Sequence, residues 1–206
     1  MDLFNNLFSF VVITSKLFNI DESHELKHSM DVFYLSNKIY QSELDKNPWL
    51  NKHKNIIDIS AILHDMCDKK YMDESIGINR ISEYMKGKIS DNELEISLQI
   101  ISTMSYSTVK KNGFPILNEY QLAYNIVREA DLLASYDFDR CIMYKMLKNN
   151  ESYEKSFIDA RELFINRVYK YNDDNLFVTD YSKKISNKMH LNAIKRINNL
   201  TKILKI

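Results

Sequence analysis

The chain has 206 residues, 45% hydrophobic and 27% charged, proportions that exclude a disordered or fibrous chain. Its 28 basic and 28 acidic side chains cancel, which argues against nucleic acid as a partner bound through a broad cationic face. Three glycines and two prolines are too few for the tight turns of an all-β fold, and two cysteines make neither a disulfide framework nor a zinc knuckle, so the expectation is an all-α protein in a reducing, cytoplasmic setting.

The opening stretch 1–20 is apolar, but Asp2 stands where a signal peptide carries basic residues, and Asn5, Asn6, Ser9 and Lys16 interrupt the run. It reads as an N-terminal helix packed on the domain, too short and too polar for a membrane span. Asp21 to Ser23 offer caps for a helix toward Asp45, with Val32, Leu35 and Ile39 at helical spacing and Asn47-Pro48 as its stop. On that helix His24 and His28 share a face. The stretch 53–67 is apolar almost all round, with Ile56, Ile57, Ile59, Ile62 and Leu63, and predicts a buried central helix that ends near His64 and Asp65. A helix from Asp73 to Lys86 stops at Gly87, and Ser90 to Glu93 forms a capping box for another reaching about Met104. The stretch 105–118 contains Gly113, Pro115, Lys110 and Lys111 without sustained period and reads as a long functional loop. Helices then follow over 119–147, 153–169 and from 180 to the end. With no repeat, low-complexity tract or linker, the expectation is one domain over 1–206 with about seven to nine helices, its motif-bearing core at 21–147 and the helices of 151–206 packed on it.

The strongest local signal is Ala61-Ile62-Leu63-His64-Asp65, a polar doublet at the end of an apolar helix, where burial is costly unless something satisfies both side chains. A cation in the notch between them accepts an imidazole nitrogen and a carboxylate oxygen; the alternative is a helix-end pair bonded to backbone. Asp131 has Val127 and Ala134 as neighbours on its face, which points to burial, and a metal would keep such a carboxylate ionised. The alternative there is an Asp facing solvent. His24-Glu25-Leu26-Lys27-His28 carries the His-Glu-x-x-His spacing of zinc peptidases, with Glu43 available as a distant third ligand. Yet Glu22 and Lys27 put charges around those positions. Asp31 and Tyr34 stand where the extended motif has Gly and His, and a peptidase leaves His64, Asp65 and Asp131 unexplained.

Taken in order, His28, His64-Asp65 and Asp131 resemble the HD phosphohydrolase superfamily, whose pattern is H, HD, D; the likeness runs from about Ser23 to Arg140. Within it the chain is most similar to bacterial HD-type nucleoside triphosphate pyrophosphohydrolase-like proteins. Their first motif often carries an extra His and acid, here His24 and Glu25, and their HD motif is commonly followed by an Asp and a Lys, here Asp68 and Lys70. Ser105-Tyr106-Ser107 with Lys110 and Gly113-Phe114-Pro115 resembles a Ser-aromatic-Ser turn of the same proteins. Glu129-Ala130-Asp131-Leu132-Leu133 resembles Asp-Ala-Asp-x-Leu, with Glu for the first Asp, and Ser135 to Arg140 lacks the glycine expected after it.

The resemblance implies one divalent ion held by His28, His64, Asp65 and Asp131. Mixed nitrogen and oxygen ligation suits Mn first, with Fe, Co, Ni or Zn as alternatives and Mg less favoured. It implies catalytic roles for Asp68, in orienting or deprotonating water, and for Lys70, with substrate contacts from His24, Ser105 and Lys110. The expected function is hydrolysis of a nucleotide phosphate bond, with a nucleoside or deoxynucleoside triphosphate as the small-molecule partner. Alternatives are a phosphodiesterase or nuclease of the same fold, a zinc peptidase, and a non-catalytic nucleotide-binding scaffold. Oligomeric state is left open. The stretch 1–20 and everything after about Leu147 carry no motif and read as core.

Overall fold

The computed structural model describes residues 3–206, so the reading of Asp2 lies outside the described residues. The described residues form ten α-helices: α1 Leu3–Phe18, α2 Leu26–Leu44, α3 Lys54–Leu63, α4 Glu74–Met85, α5 Asp91–Thr103, α6 Tyr106–Asn112, α7 Gln121–Ala134, α8 Phe138–Asn149, α9 Tyr153–Asn166 and α10 Asp180–Leu204. Short 3-10 turns at Pro48–His53, Asn118–Tyr120 and Val168–Lys170 complete the set. Among the described residues there is no strand beyond an isolated bridge between Lys86 and Ile89, so the expected all-α class holds. No helix among them is long and apolar enough to cross a membrane.

The helix count exceeds the expected seven to nine for two local reasons. Within the expected loop, Ser105 caps Thr108 and nucleates α6, which ends at Gly113 with φ 77°, a conformation glycine adopts freely. The expected single helix over 119–147 is broken at Ser135 to Asp137. There Tyr136 and Asp137 bond back only three residues, Ser135 Oγ donates to the Leu132 carbonyl, and Asp137 caps α8 through the Arg140 N–H. The start of α2 also differs. Asp21 accepts the Ser23 N–H, a local turn bond in place of a helix cap, so the helix begins only at Leu26.

Helix α3 is buried on every side from Ile56 to Leu63, as its apolar sequence predicts. Ile56, Ile57 and Ala61 join an apolar cluster with α2, α7, α8, α9 and α10, while Ile59, Ile62 and Leu63 join a second one with α1, α4 and α5. Each of these isoleucine and leucine side chains contributes roughly 1.5–3 kcal/mol on burial, so the central helix is fixed from both sides. It packs against α2 and α7, which also pack on each other. That three-helix contact brings His28, the end of α3 and Asp131 together. Beyond α3 the chain turns through Met66 and Cys67 directly against α4: a Cβ at Gly77 would lie 2.5 Å from the Cys67 Cα.

Candidate metal centre and its cavity

His28 lies in the first turns of α2, His64 is the C-cap of α3 with Asp65 next to it, and Asp131 sits near the end of α7. The Nε2 atoms of His28 and His64 are 3.1 Å apart. Asp65 Oδ2 is 3.3 Å from the first and 3.4 Å from the second, and Asp131 Oδ1 is 3.4 Å and 3.7 Å from the same two nitrogens. His28, His64 and Asp65 form a triad whose donor atoms all lie within 4.8 Å of one another, and Asp131 joins it through the two imidazoles.

These side chains fit a divalent cation. A metal–ligand bond of about 2.1 Å places neighbouring donors ~3.0 Å apart at a right angle and ~3.4 Å apart at the tetrahedral angle, the spacing seen between the imidazoles and the carboxylates. His64 Nδ1 donates to the Ala61 carbonyl at 2.9 Å, which leaves the Nε2 lone pair for the ion. Asp65 Oδ2 is buried without a hydrogen-bond donor. Electrostatics agree: burial would lower the His64 pKa, yet attraction by Asp65 and Asp131 pushes it up to about 9. Burial would likewise raise both carboxylates, but the two imidazoles hold Asp65 and Asp131 well below the usual range. The pocket is built to carry positive charge between its carboxylates.

The donors stand in a cavity of about 440 Å³. His24, Asp68, Lys70 and Ser105, named from sequence, line it; Lys110 does not, and lines a neighbouring cavity beside Phe114 and Arg128. Asp68 reaches the cavity from the turn after α3, since the helix stops at Leu63, and it accepts the Lys70 N–H at 2.8 Å with the Lys70 ammonium 3.1 Å from its other oxygen. His24 precedes α2, so the expectation that His24 and His28 share a helical face does not hold. Both ring nitrogens of His24 are engaged, Nδ1 with Ser23 Oγ and Tyr71 Oη and Nε2 with Lys70 Nζ, and none is left for a zincin-type ion.

Sequence reading missed several residues of the lining. Arg140, Tyr144 and Lys145 on α8, and Arg167 and Tyr171 beyond α9, line the same cavity as the metal-type donors. Arg167 Nε donates to Tyr171 Oη at 3.0 Å and its guanidinium lies 4.3 Å from the Tyr106 ring, while Arg140 donates to the Ser23 carbonyl at 3.0 Å. The only local signal for Arg140 is its place three residues after the capping Asp137; Arg167, at the C-terminal end of α9, has none.

No protein-family model matches the chain, and no curated protein does. Among solved structures the crystal structure of Bacillus subtilis YpgQ superposes with a TM-score of 0.62 at 16% identity, covering 98% of this chain and 97% of that one. At that identity the likeness concerns the fold alone.

Proposed function

We propose that this chain is a metal-dependent hydrolase of nucleotide phosphate bonds, similar to HD phosphohydrolases, with a nucleoside or deoxynucleoside triphosphate as its substrate class. The observation that carries the reading is the convergence of His28, His64, Asp65 and Asp131 in a cavity also lined by Lys70, Arg140, Lys145 and Arg167. Metal-type donors beside cations are the pairing that binds and cleaves a phosphate ester or anhydride.

The four donors would hold one divalent transition ion, Mn first. Such an ion supplies Lewis acidity, acidifying a water and polarising a phosphoryl oxygen. Asp68 orients the attacking water and takes its proton, with the Lys70 contact keeping its carboxylate in place. Lys70, Arg140 and Arg167 neutralise phosphate charge, Arg167 held for that purpose by Tyr171 and Tyr106. Ser105 and the aromatic side chains of Tyr106 and Tyr144 offer a hydroxyl and ring faces to the nucleoside. The setting is cytoplasmic, where Cys67 and Cys141, both free, stay reduced.

The test is a screen of nucleoside mono-, di- and triphosphates with Mn, Co, Ni, Zn or Mg, read by release of phosphate and of pyrophosphate. Turnover of a triphosphate that His64→Ala and Asp131→Ala abolish supports the reading. Metal-dependent proteolysis lost in Glu25→Gln, with no nucleotide turned over, overturns it.

A further inference from the structure

The turn before α2 is tied to the loop after Asp65 by a chain of polar contacts whose protons can be counted. Asp21 accepts the Ser23 N–H at 3.0 Å, the Ser23 hydroxyl, and the Tyr71 hydroxyl at 2.5 Å. The same two hydroxyl oxygens touch His24 Nδ1, Ser23 Oγ at 2.6 Å and Tyr71 Oη at 3.0 Å. A hydroxyl has one proton, and each of these has given it to Asp21, so toward the imidazole each can only accept. Nδ1 therefore carries the ring hydrogen. On the far side, His24 Nε2 is 3.0 Å from Lys70 Nζ, an ammonium that donates and has no lone pair, so Nε2 accepts. Asp21 itself stands 3.8 Å from Nδ1, too far for a direct bond, and acts through the hydroxyls.

We propose that Asp21 is a positioning residue of the cavity: through Ser23 and Tyr71 it locks His24 as the neutral Nδ1–H tautomer, whose Nε2 lone pair fixes the Lys70 ammonium where it meets the phosphates of the substrate. The last step rests on the phosphohydrolase reading; the tautomer does not. Burial lowers the His24 pKa, against the pull of Asp21 and Asp65, which keeps the ring in the neutral state that the network requires. Lys70 is held at three points: His24 Nε2, Asp68 Oδ2 at 3.1 Å, and the Tyr144 ring 5.4 Å from its nitrogen. With two N–H groups spent on His24 and Asp68, one donor remains for a ligand oxygen. In the opposite tautomer an Nε2–H would face the ammonium and expel it. A local turn residue thus decides where a cation some fifty positions away in sequence points.

Histidine-selective ¹⁵N NMR on the chain with one equivalent of diamagnetic Zn²⁺ reads the tautomer directly, and five histidines, with His24 assigned from His24→Gln, keep the spectrum tractable. The expected result is a protonated Nδ1 and an unprotonated Nε2 for His24 at pH 7.5, changing to a mixed or Nε2–H pattern in Asp21→Asn. An Nε2–H or doubly protonated ring in the wild type overturns the proposal, whatever the activity. Calorimetric titration with inorganic triphosphate reads the consequence without turnover. Asp21→Ala, His24→Ala and Lys70→Ala should each weaken binding about tenfold, the order of one misaligned charge-assisted bond. The Asp21→Ala/Lys70→Ala double variant should be no weaker than Lys70→Ala alone, and His24→Gln, which keeps an acceptor for Lys70 and a donor for the hydroxyls, should stay within about threefold of wild type. Additive losses, or no triphosphate binding by the wild type, overturn the functional step. If Asp21→Ala does not fold, Tyr71→Phe, which removes one of the two relays, must give the same loss to a smaller degree. A chain with the Nδ1–H tautomer and coupled triphosphate binding but no hydrolysis of any nucleotide removes the activity and upholds the role of Asp21.

Discussion

Glu129 stands two residues before Asp131, where the resemblance expects an Asp, and its side chain does not line the cavity. It is fully buried and accepts the Val178 N–H at 2.5 Å, the Thr179 N–H at 3.2 Å and the Thr179 hydroxyl at 2.6 Å, with Arg128 Nη2 3.6 Å away. The carboxylate clamps the entry of α10 onto α7. Glu129→Ala would orphan the buried Thr179 N–H and the part-buried Val178 N–H, at up to about 1–3 kcal/mol each, and leave Arg128 without its nearest counter-charge. The Thr179 hydroxyl keeps Ser182 Oγ at 2.8 Å, and water entering the new space recovers part of the loss. The net cost is about 4 kcal/mol, a large share of the ~5–15 kcal/mol that stabilises a typical domain. At roughly 2–4 °C per kcal/mol for a chain of this size, the melting temperature should fall by about 8–16 °C. Glu129→Gln, which keeps one acceptor oxygen, should lose less than half of that. Calorimetric melts of both variants, with metal content measured on the folded fraction, are the assay. A Glu129→Ala melt within about 2 °C of wild type refutes the clamp, and folded Glu129→Ala without metal would move Glu129 into the ion's site.

Asp68→Asn should lower turnover about a hundredfold to ten-thousandfold at near-normal metal content, whereas Lys70→Ala should mainly raise KM; steady-state kinetics on the best triphosphate separate the two, and near-normal turnover by Asp68→Asn removes it from the chemistry. In chelated protein the His64 pKa, raised to about 9 from its ordinary 6.5, makes a stabilising contribution that is complete below pH 6.5 and lost as pH rises through 9. Melts with EDTA should therefore decline between those values and melts with metal should not, while parallel curves would show that the imidazole is not charged between the carboxylates. Gly77→Ala should cost about 1–3 kcal/mol and weaken metal binding, because its Cβ would meet the backbone of Cys67 and force the turn that follows His64 and Asp65 to shift; an unchanged melt and metal titration would show that this turn has slack.

Helices whose ends carry explicit chemistry were legible. The Ser90–Glu93 capping box forms with both reciprocal bonds, Gly87 at φ 75° follows α4 as expected, and the apolar run from Ile56 to Leu63 is the buried centre. The illegible boundaries are those decided by competition between local bonds. Ser135 and Asp137 end one helix and start another without glycine or proline, and the Asp21 carboxylate is spent on Ser23 and Tyr71 instead of capping α2. A seven-residue helix such as α6 is also too short to show a period.

The candidate site divides along the same line. His64, Asp65 and Asp131 were legible because each sits at the end of an apolar helix or among apolar neighbours, where an unexplained polar residue is conspicuous, and His28 on α2 was legible from its order ahead of them. The cations are the reverse case. Arg140, Lys145 and Arg167 are residue types expected on any helix surface, and only the packing of α8 and α9 brings them into the lining of the donors' cavity. His24 shows why spacing misleads: in sequence it completes His-Glu-x-x-His with His28, but that motif needs a helix already formed at its first histidine. Here the turn bond of Asp21 delays the helix to Leu26, and the ring that would have been a zinc ligand spends both nitrogens inside a hydrogen-bond network. The motif fails at one backbone decision, and the same decision places His24 against Lys70.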